Sequence, residues 1–131
     1  MGDPGGVGAE IIIKALAEKE LRDQASYIVF GFSEQLSYTA DRLDADFVFF
    51  RDHHEDIREY NHQITVLDYD EFSIPASMPR GPSKIGGAAS MAFCEDAISA
   101  ARRGVIDAMV TAPISKTSWK LAGCRKFPGH T

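Results

Sequence analysis

Three stretches of the 131-residue sequence carry residue types able to act on an anionic or hydroxylated ligand. At the far end, KFPGHT sets an imidazole and a hydroxyl, His130 and Thr131, directly behind a Pro128-Gly129 turn signal. Side by side on a turn, both groups can hydrogen-bond a substrate oxygen or a phosphate. The plainer alternative is a histidine that is simply exposed. Before it, VTAPISKTSWKLAG reads as a strand ending in Thr111, Ala112 and Pro113, after which Ser115 and Lys116 open a helix. A lysine near the carboxyl end of a strand meets a phosphate or carboxylate as a point charge; otherwise it is a solvated first-turn residue. At the start, MGDPGGVG crowds Gly2, Gly5, Gly6 and Gly8 ahead of a helical pattern. Such a loop either turns backbone amides toward an anion, aided by the helix dipole, or packs a helix tightly against a sheet. It is not a P-loop, because no Gly-Lys-Ser/Thr closes it. It is not the dinucleotide fingerprint either, because Ile11 stands where the third glycine belongs.

Two further stretches are weaker. His53, His54, Glu55, Asp56 and His62 are rich in ligating atoms, but they form no i,i+4 histidine pair and no HExxH pattern, so no metal site is expected there. GPSKIGG resembles a phosphate loop in composition and matches no spacing with a known mechanism.

The elements that must position these residues follow from periodicity. Ile12, Ile13, Leu16, Ala17 and Leu21 fall at helical spacing within Ala9–Arg22. SYIVFGF (Ser26–Phe32), ADFVFF (Ala45–Phe50) and ITVLDY (Ile64–Tyr69) are short apolar runs of strand length. Ser33 is placed to N-cap a helix through Leu43. RDHHEDIREYNH has no period and reads as loop. Pro75, Pro79 and Pro82 exclude a regular helix or central strand from SIPASMPRGPSKIGG. A long helix follows over GGAASMAFCEDAISAARRG, with Arg102 and Arg103 at its dipole-negative end and Gly104 as its stop. VIDAMVTAP (Val105–Pro113) then reads as a strand, and Lys116–Leu121 as a short helix. Buried strands alternating with amphipathic helices predict a layered α/β fold, whose ligand loops lie at the carboxyl ends of the strands.

Composition narrows the class of function. A 44% apolar fraction supports a core, and fourteen basic against nineteen acidic residues give a net charge of −5. That balance disfavours nucleic acid and anionic membranes as partners. No apolar run approaches the length of a membrane span, and the start has no basic and apolar leader pattern. Cys94 and Cys124 belong to no CxxC or zinc spacing, which suits a reducing, cytoplasmic setting.

Taken together, MGDPGGVGAEIIIKAL, GPSKIGGAASMAFCEDAI and DAMVTAPISKTSWKLAGCRKFPGHT resemble, in order and spacing, the N-terminal part of the 4-hydroxythreonine-4-phosphate dehydrogenase family of pyridoxal phosphate biosynthesis. The specific pattern is GDP-x-G-x-G, then T-A-P-x-x-K, then P-G-H-T. Residues 32–77 carry no diagnostic motif. The resemblance implies a fold like that of isocitrate and isopropylmalate dehydrogenases, with two α/β domains, a cleft between them and a homodimer. Residues 1–131 are then the N-terminal part of the first domain, lacking its first strand and ending near the crossing to the second. The implied reaction is NAD-dependent oxidation of 4-phosphooxy-L-threonine and decarboxylation to 3-amino-2-oxopropyl phosphate, with a divalent zinc, magnesium or cobalt ion. Relatives acting on phosphothreonate or phosphoerythronate are the near alternative, and a phosphate-binding module without chemistry the more distant one. His130 and Thr131 inherit substrate contacts, and Lys116 does so less directly. The resemblance leaves the catalytic and cofactor-binding residues unassigned, and no residue here inherits a metal-ligating role. The chain alone is expected neither to turn over nor to hold NAD or the metal tightly.

Overall fold

The computed structural model describes residues 1–124. Its elements, in order, are α1 (Gly8–Ala17), α2 (Lys19–Arg22), β1 (Tyr27–Gly31), α3 (Ser33–Arg42), β2 (Phe50–His53), β3 (Ile64–Asp68), α4 (Lys84–Arg102) and α5 (Lys116–Leu121). Single 3₁₀ turns lie at His54–Asp56 and Asp70–Phe72.

β1, β3 and β2 form a parallel sheet in that spatial order. β3 is central and buried along its whole length, as a strand covered on both faces must be. Alternate residues of the strands face opposite layers. Val29 and Val66 pack with Ile13, Leu16 and Leu36 from α1 and α3. Phe30 and Leu67 pack with Phe93, Ala97 and Ala100 of α4. The expected helix–sheet–helix layering is therefore present. Ile13, Leu36, Val66 and Leu67 are wholly removed from solvent, and each such side chain contributes about 1.5–3 kcal/mol. On the α4 side, Phe93 stands edge-on to both Phe32 and Tyr69, at centroid distances of 5.2 and 4.7 Å.

Four expectations are corrected. The first helix breaks at Glu18, whose ψ of 114° is extended, so α2 is separate from α1. The Ser33 hydroxyl does not cap its helix; it donates to Asp68 Oδ2 at 2.6 Å, while Asp68 Oδ1 accepts the Ser33 amide at 2.9 Å. The cap thus comes from β3, across the sheet. β2 is not Ala45–Phe50 but Phe50–His53, set by the pairing of Phe50 with Thr65 and Arg51 with Val66. Three residues of the polar RDHH run therefore belong to the sheet. Finally, residues 105–113 form no strand. A strand needs a ladder, and the bond recorded to this segment from a distant one is Asp3 N–H to the Pro113 carbonyl at 3.0 Å. Val110 is 95% exposed.

Candidate functional site

The opening loop lies at the carboxyl end of β1. The Met1 amino group donates to the Phe30 carbonyl at 2.7 Å, and a Cβ on Gly31 would come within 2.8 Å of the Met1 Cβ. Gly2 has φ +77°, and a side chain there would strike the Pro113 carbonyl oxygen at 2.4 Å. Glycine is required on both counts. Asp3 organises the loop. Its Oδ1 accepts the Gly5 amide at 2.8 Å, and its carbonyl accepts the Gly6 amide at 2.9 Å. These two amides are turned inward, so at Gly5 and Gly6 the loop is a packing turn and not an open anion cradle.

The other two motifs meet this loop. Gly81 N–H donates to the Gly5 carbonyl at 3.0 Å, joining the loop to GPSKIGG. The Ser83 hydroxyl caps α4 by accepting the Gly86 amide at 3.0 Å. The Ser83 amide in turn donates to Ser118 Oγ at 3.1 Å, joining α4 to α5. A Cβ on Gly87 would sit 2.0 Å from the Ser118 carbonyl oxygen, so only glycine lets the two helices approach this closely. Trp119 is buried and donates from Nε1 to Ser90 Oγ at 2.8 Å. Asp3 N–H to Pro113 O closes the ring of contacts. The stretches singled out at residues 1–8, 81–87 and 111–121 are thus one structural unit.

Two acceptors in or beside it lack donors. Asp3 Oδ2 and, beside the loop on α3, Gln35 Oε1 are buried with no hydrogen-bond partner among the described residues. The Gln35 Nε2 donates to the Pro4 carbonyl at 2.7 Å, which fixes that side chain beside the loop. A small cavity borders it, lined by Gly5, Gly6, Gln35, Arg42 and Arg80. Lys116, the first residue of α5, is exposed and makes no ion pair among the described residues. His130 and Thr131 lie outside the described residues.

A second polar cluster, which spacing did not disclose, forms at the carboxyl ends of β3 and β2. Asp68 is buried and accepts from Ser33, from the Tyr69 amide at 3.1 Å and from Arg51 at 2.7 Å. The signal for it was an acid ending an apolar run. Beside it, His53, His54 and Glu71 bring one ligating atom each to within 4.8 Å of one another. His62 is elsewhere, stacked on Phe50 at 4.1 Å.

The opening loop does not fit a dinucleotide cradle, because the Gly5 and Gly6 amides are taken by the Asp3 carboxylate and carbonyl. The His53, His54 and Glu71 group lies at the end of β2 and in the turns that follow β2 and β3, with β3 between β2 and the strand end against which the opening loop packs.

A parallel sheet between helical layers, with glycine-rich loops gathered beside the carboxyl end of β1, defines a layered α/β domain. Residues 23–131 match the family profile of the pyridoxal phosphate biosynthetic protein PdxA, and the chain belongs to that family. A D-threonate 4-phosphate dehydrogenase of Cupriavidus necator is 36% identical over all of this chain and 39% of its own length. A 4-hydroxythreonine-4-phosphate dehydrogenase of Thermosynechococcus vestitus is 34% identical over all of this chain and 35% of its own length. The crystal structure of a 4-hydroxythreonine-4-phosphate dehydrogenase from Burkholderia phymatum superposes with a TM-score of 0.83 at 31% identity, covering 99% of this chain and 39% of that one. The chain therefore spans well under half the length of these relatives. No described helix is long and apolar enough to cross a membrane.

Proposed function

We propose that this chain is the N-terminal part of a dehydrogenase acting on a four-carbon phosphorylated hydroxy acid, with 4-phosphooxy-L-threonine as the substrate. The reaction would be oxidation of its secondary alcohol and decarboxylation to 3-amino-2-oxopropyl phosphate. NAD would supply the hydride acceptor and a divalent cation the Lewis acid, both held chiefly by other parts of a homodimer. The observation that carries the reading is the joining of the three motif stretches around Asp3. In this scheme Lys116, exposed at the start of α5, faces the substrate's anionic groups, and His130 and Thr131 hydrogen-bond it. Residues 1–131 alone would be inactive.

A second reading has a specific observation behind it. Relatives named for D-threonate 4-phosphate align over the whole chain as well as those named for 4-hydroxythreonine 4-phosphate. The two substrates differ in an amino or hydroxyl group at one carbon, so the phosphate-facing residues would serve either. The test is NADH formation at 340 nm by the natural full-length protein with each substrate in turn. Turnover of 4-phosphooxy-L-threonine supports the proposal. Turnover of D-threonate 4-phosphate alone reassigns the substrate, and turnover of neither, with folded protein, rejects both. Lys116→Met is expected to raise KM about tenfold, the loss of one ionic contact of about 1.4 kcal/mol, with the melting temperature unchanged.

A further inference from the structure

We propose that His53, His54 and Glu71 form a transition-metal site, suited to zinc or cobalt, at the carboxyl ends of β2 and β3. The argument starts from His54. Its side chain is only 19% exposed, and its ring is stacked on Tyr69 at 4.0 Å and 14°. That packing fixes the ring plane. Its Nδ1 lies 3.2 Å from Asp96 Oδ2, and that same carboxylate oxygen accepts the Tyr69 hydroxyl at 2.7 Å. Asp96 is thus an acceptor aimed at an Nδ1 proton. With the proton there, the neutral ring presents a bare lone pair at Nε2. Yet Nε2 faces a second carboxylate oxygen, Glu71 Oε1, at 2.9 Å. An imidazole nitrogen and a carboxylate oxygen so placed are joined either by an N–H hydrogen bond or by a cation that both ligate.

Three features favour the metal. A neighbouring imidazole, His53, lies with its ring centroid 4.9 Å from that of His54, and one ligating atom from each of the three residues falls within 4.8 Å of the others. The Asp96–His54 pair also reproduces the carboxylate–histidine–metal arrangement, in which an outer carboxylate fixes the ligand's tautomer and raises its basicity. Local charge points the same way. Asp70 lies 3.3 Å and Glu55 3.9 Å from His53, and Arg51, the cation facing this cluster, is engaged with Asp68 and Asp70. Two imidazole nitrogens with one carboxylate oxygen suit borderline divalent ions and leave a position for water. The site ties the end of β2 to the turns that follow β2 and β3. It is separate from the cation of the proposed reaction, and the two succeed or fail independently.

The test is metal stoichiometry in the natural full-length protein, stripped with chelator and titrated with zinc chloride alone. Bound metal is counted per chain, and cobalt absorption is recorded in parallel. Wild type is expected to bind one equivalent more than His53→Ala or Glu71→Gln, or to bind it about tenfold or more tightly. Zinc should raise the wild-type melting temperature more than that of either variant. The side chains of His53 and Glu71 are only partly covered, at 41% and 46% exposure, so both variants should fold even where His54→Ala does not. Equal stoichiometry, affinity and thermal response in wild type and both variants would overturn the proposal. It would leave His54 as a structural residue hydrogen-bonded between Glu71 and Asp96. Dehydrogenase turnover is expected to be unchanged in both variants, so a failure of the proposed reaction shows separately.

Discussion

Gly87→Ala separates helix propensity from packing. Gly87 lies inside α4, where alanine is intrinsically better by about 1 kcal/mol. Propensity alone therefore predicts a more stable protein. The structure predicts the reverse. The new Cβ would stand 2.0 Å from the Ser118 carbonyl oxygen and 2.4 Å from its carbon, both rigid backbone atoms, and 3.0 Å from the Ala122 Cβ. α5 would have to move outward by about 1 Å, which a close-packed interface resists. That displacement stretches the Ser83–Ser118 and Trp119–Ser90 hydrogen bonds, each contributing about 1 kcal/mol. It also loosens the packing of Trp119, now 4% exposed. Overpacking of this kind costs about 1–3 kcal/mol by itself. A net loss of about 2 kcal/mol is expected after the propensity gain is set against these losses. Urea denaturation measures it, and Trp119, the single tryptophan of this chain, reports α5 through a red-shifted emission. Ser99→Ala, on the exposed side of the same helix, controls for propensity and should stabilise slightly. A Gly87→Ala protein as stable as wild type, with unchanged Trp119 emission, would refute the reasoning.

Other perturbations probe the remaining contacts. Asp68→Asn keeps the shape but sets an amide against Arg51 and the Ser33 amide; urea denaturation should show a loss of about 3 kcal/mol, against about 1 for Ser33→Ala. Alkaline stability should fall as well. Burial, with Asp52 beside it, pushes the Tyr60 phenol up to about 12, and burial with Asp96 pushes Tyr69 up further. The unfolded chain releases these protons near pH 10 while the fold retains them, so their contribution is whole below pH 10. For Tyr60 it is lost as pH rises from 10 to about 12, at no more than about 1.4 kcal/mol per pH unit. Tyr60→Phe should flatten that part of a stability–pH curve, and an unchanged slope would contradict the assignment. Burial also pushes the Cys94 thiol up, with Glu95 adding to it. Alkylation by iodoacetamide at pH 8 should be slower at Cys94 than at the same thiol after denaturation.

The legible part of the fold was what periodicity encodes. The α1 and α4 faces, the β1 run and the wholly buried β3 all announce themselves in apolar spacing, because each buries a defined stripe or both faces. β2 was misplaced because its edge register is chosen by β3 and by Arg51 reaching Asp68, not by its own hydrophobicity. The aromatic ADFVFF run instead packs Phe47 and Phe49 beneath the sheet edge as irregular chain. Val105–Pro113 has strand composition without a ladder to join among the described residues, and composition cannot supply one. The candidate site was legible as three motifs but not as one place. The contacts of Gly5 with Gly81, Asp3 with Pro113 and Ser83 with Ser118 span distances in sequence that no local spacing encodes. The same holds for His53 and Glu71, which strand pairing and two short turns bring together.

The most direct test of the central claim, that residues 1–8, 81–87 and 111–121 act as one ligand-binding unit, is amide hydrogen exchange in the natural full-length protein with and without 4-phosphooxy-L-threonine. Bound substrate should slow exchange in all three stretches together, with residues 50–62 unaffected. Protection confined to one stretch, or appearing at residues 50–62 in place of them, would contradict the account.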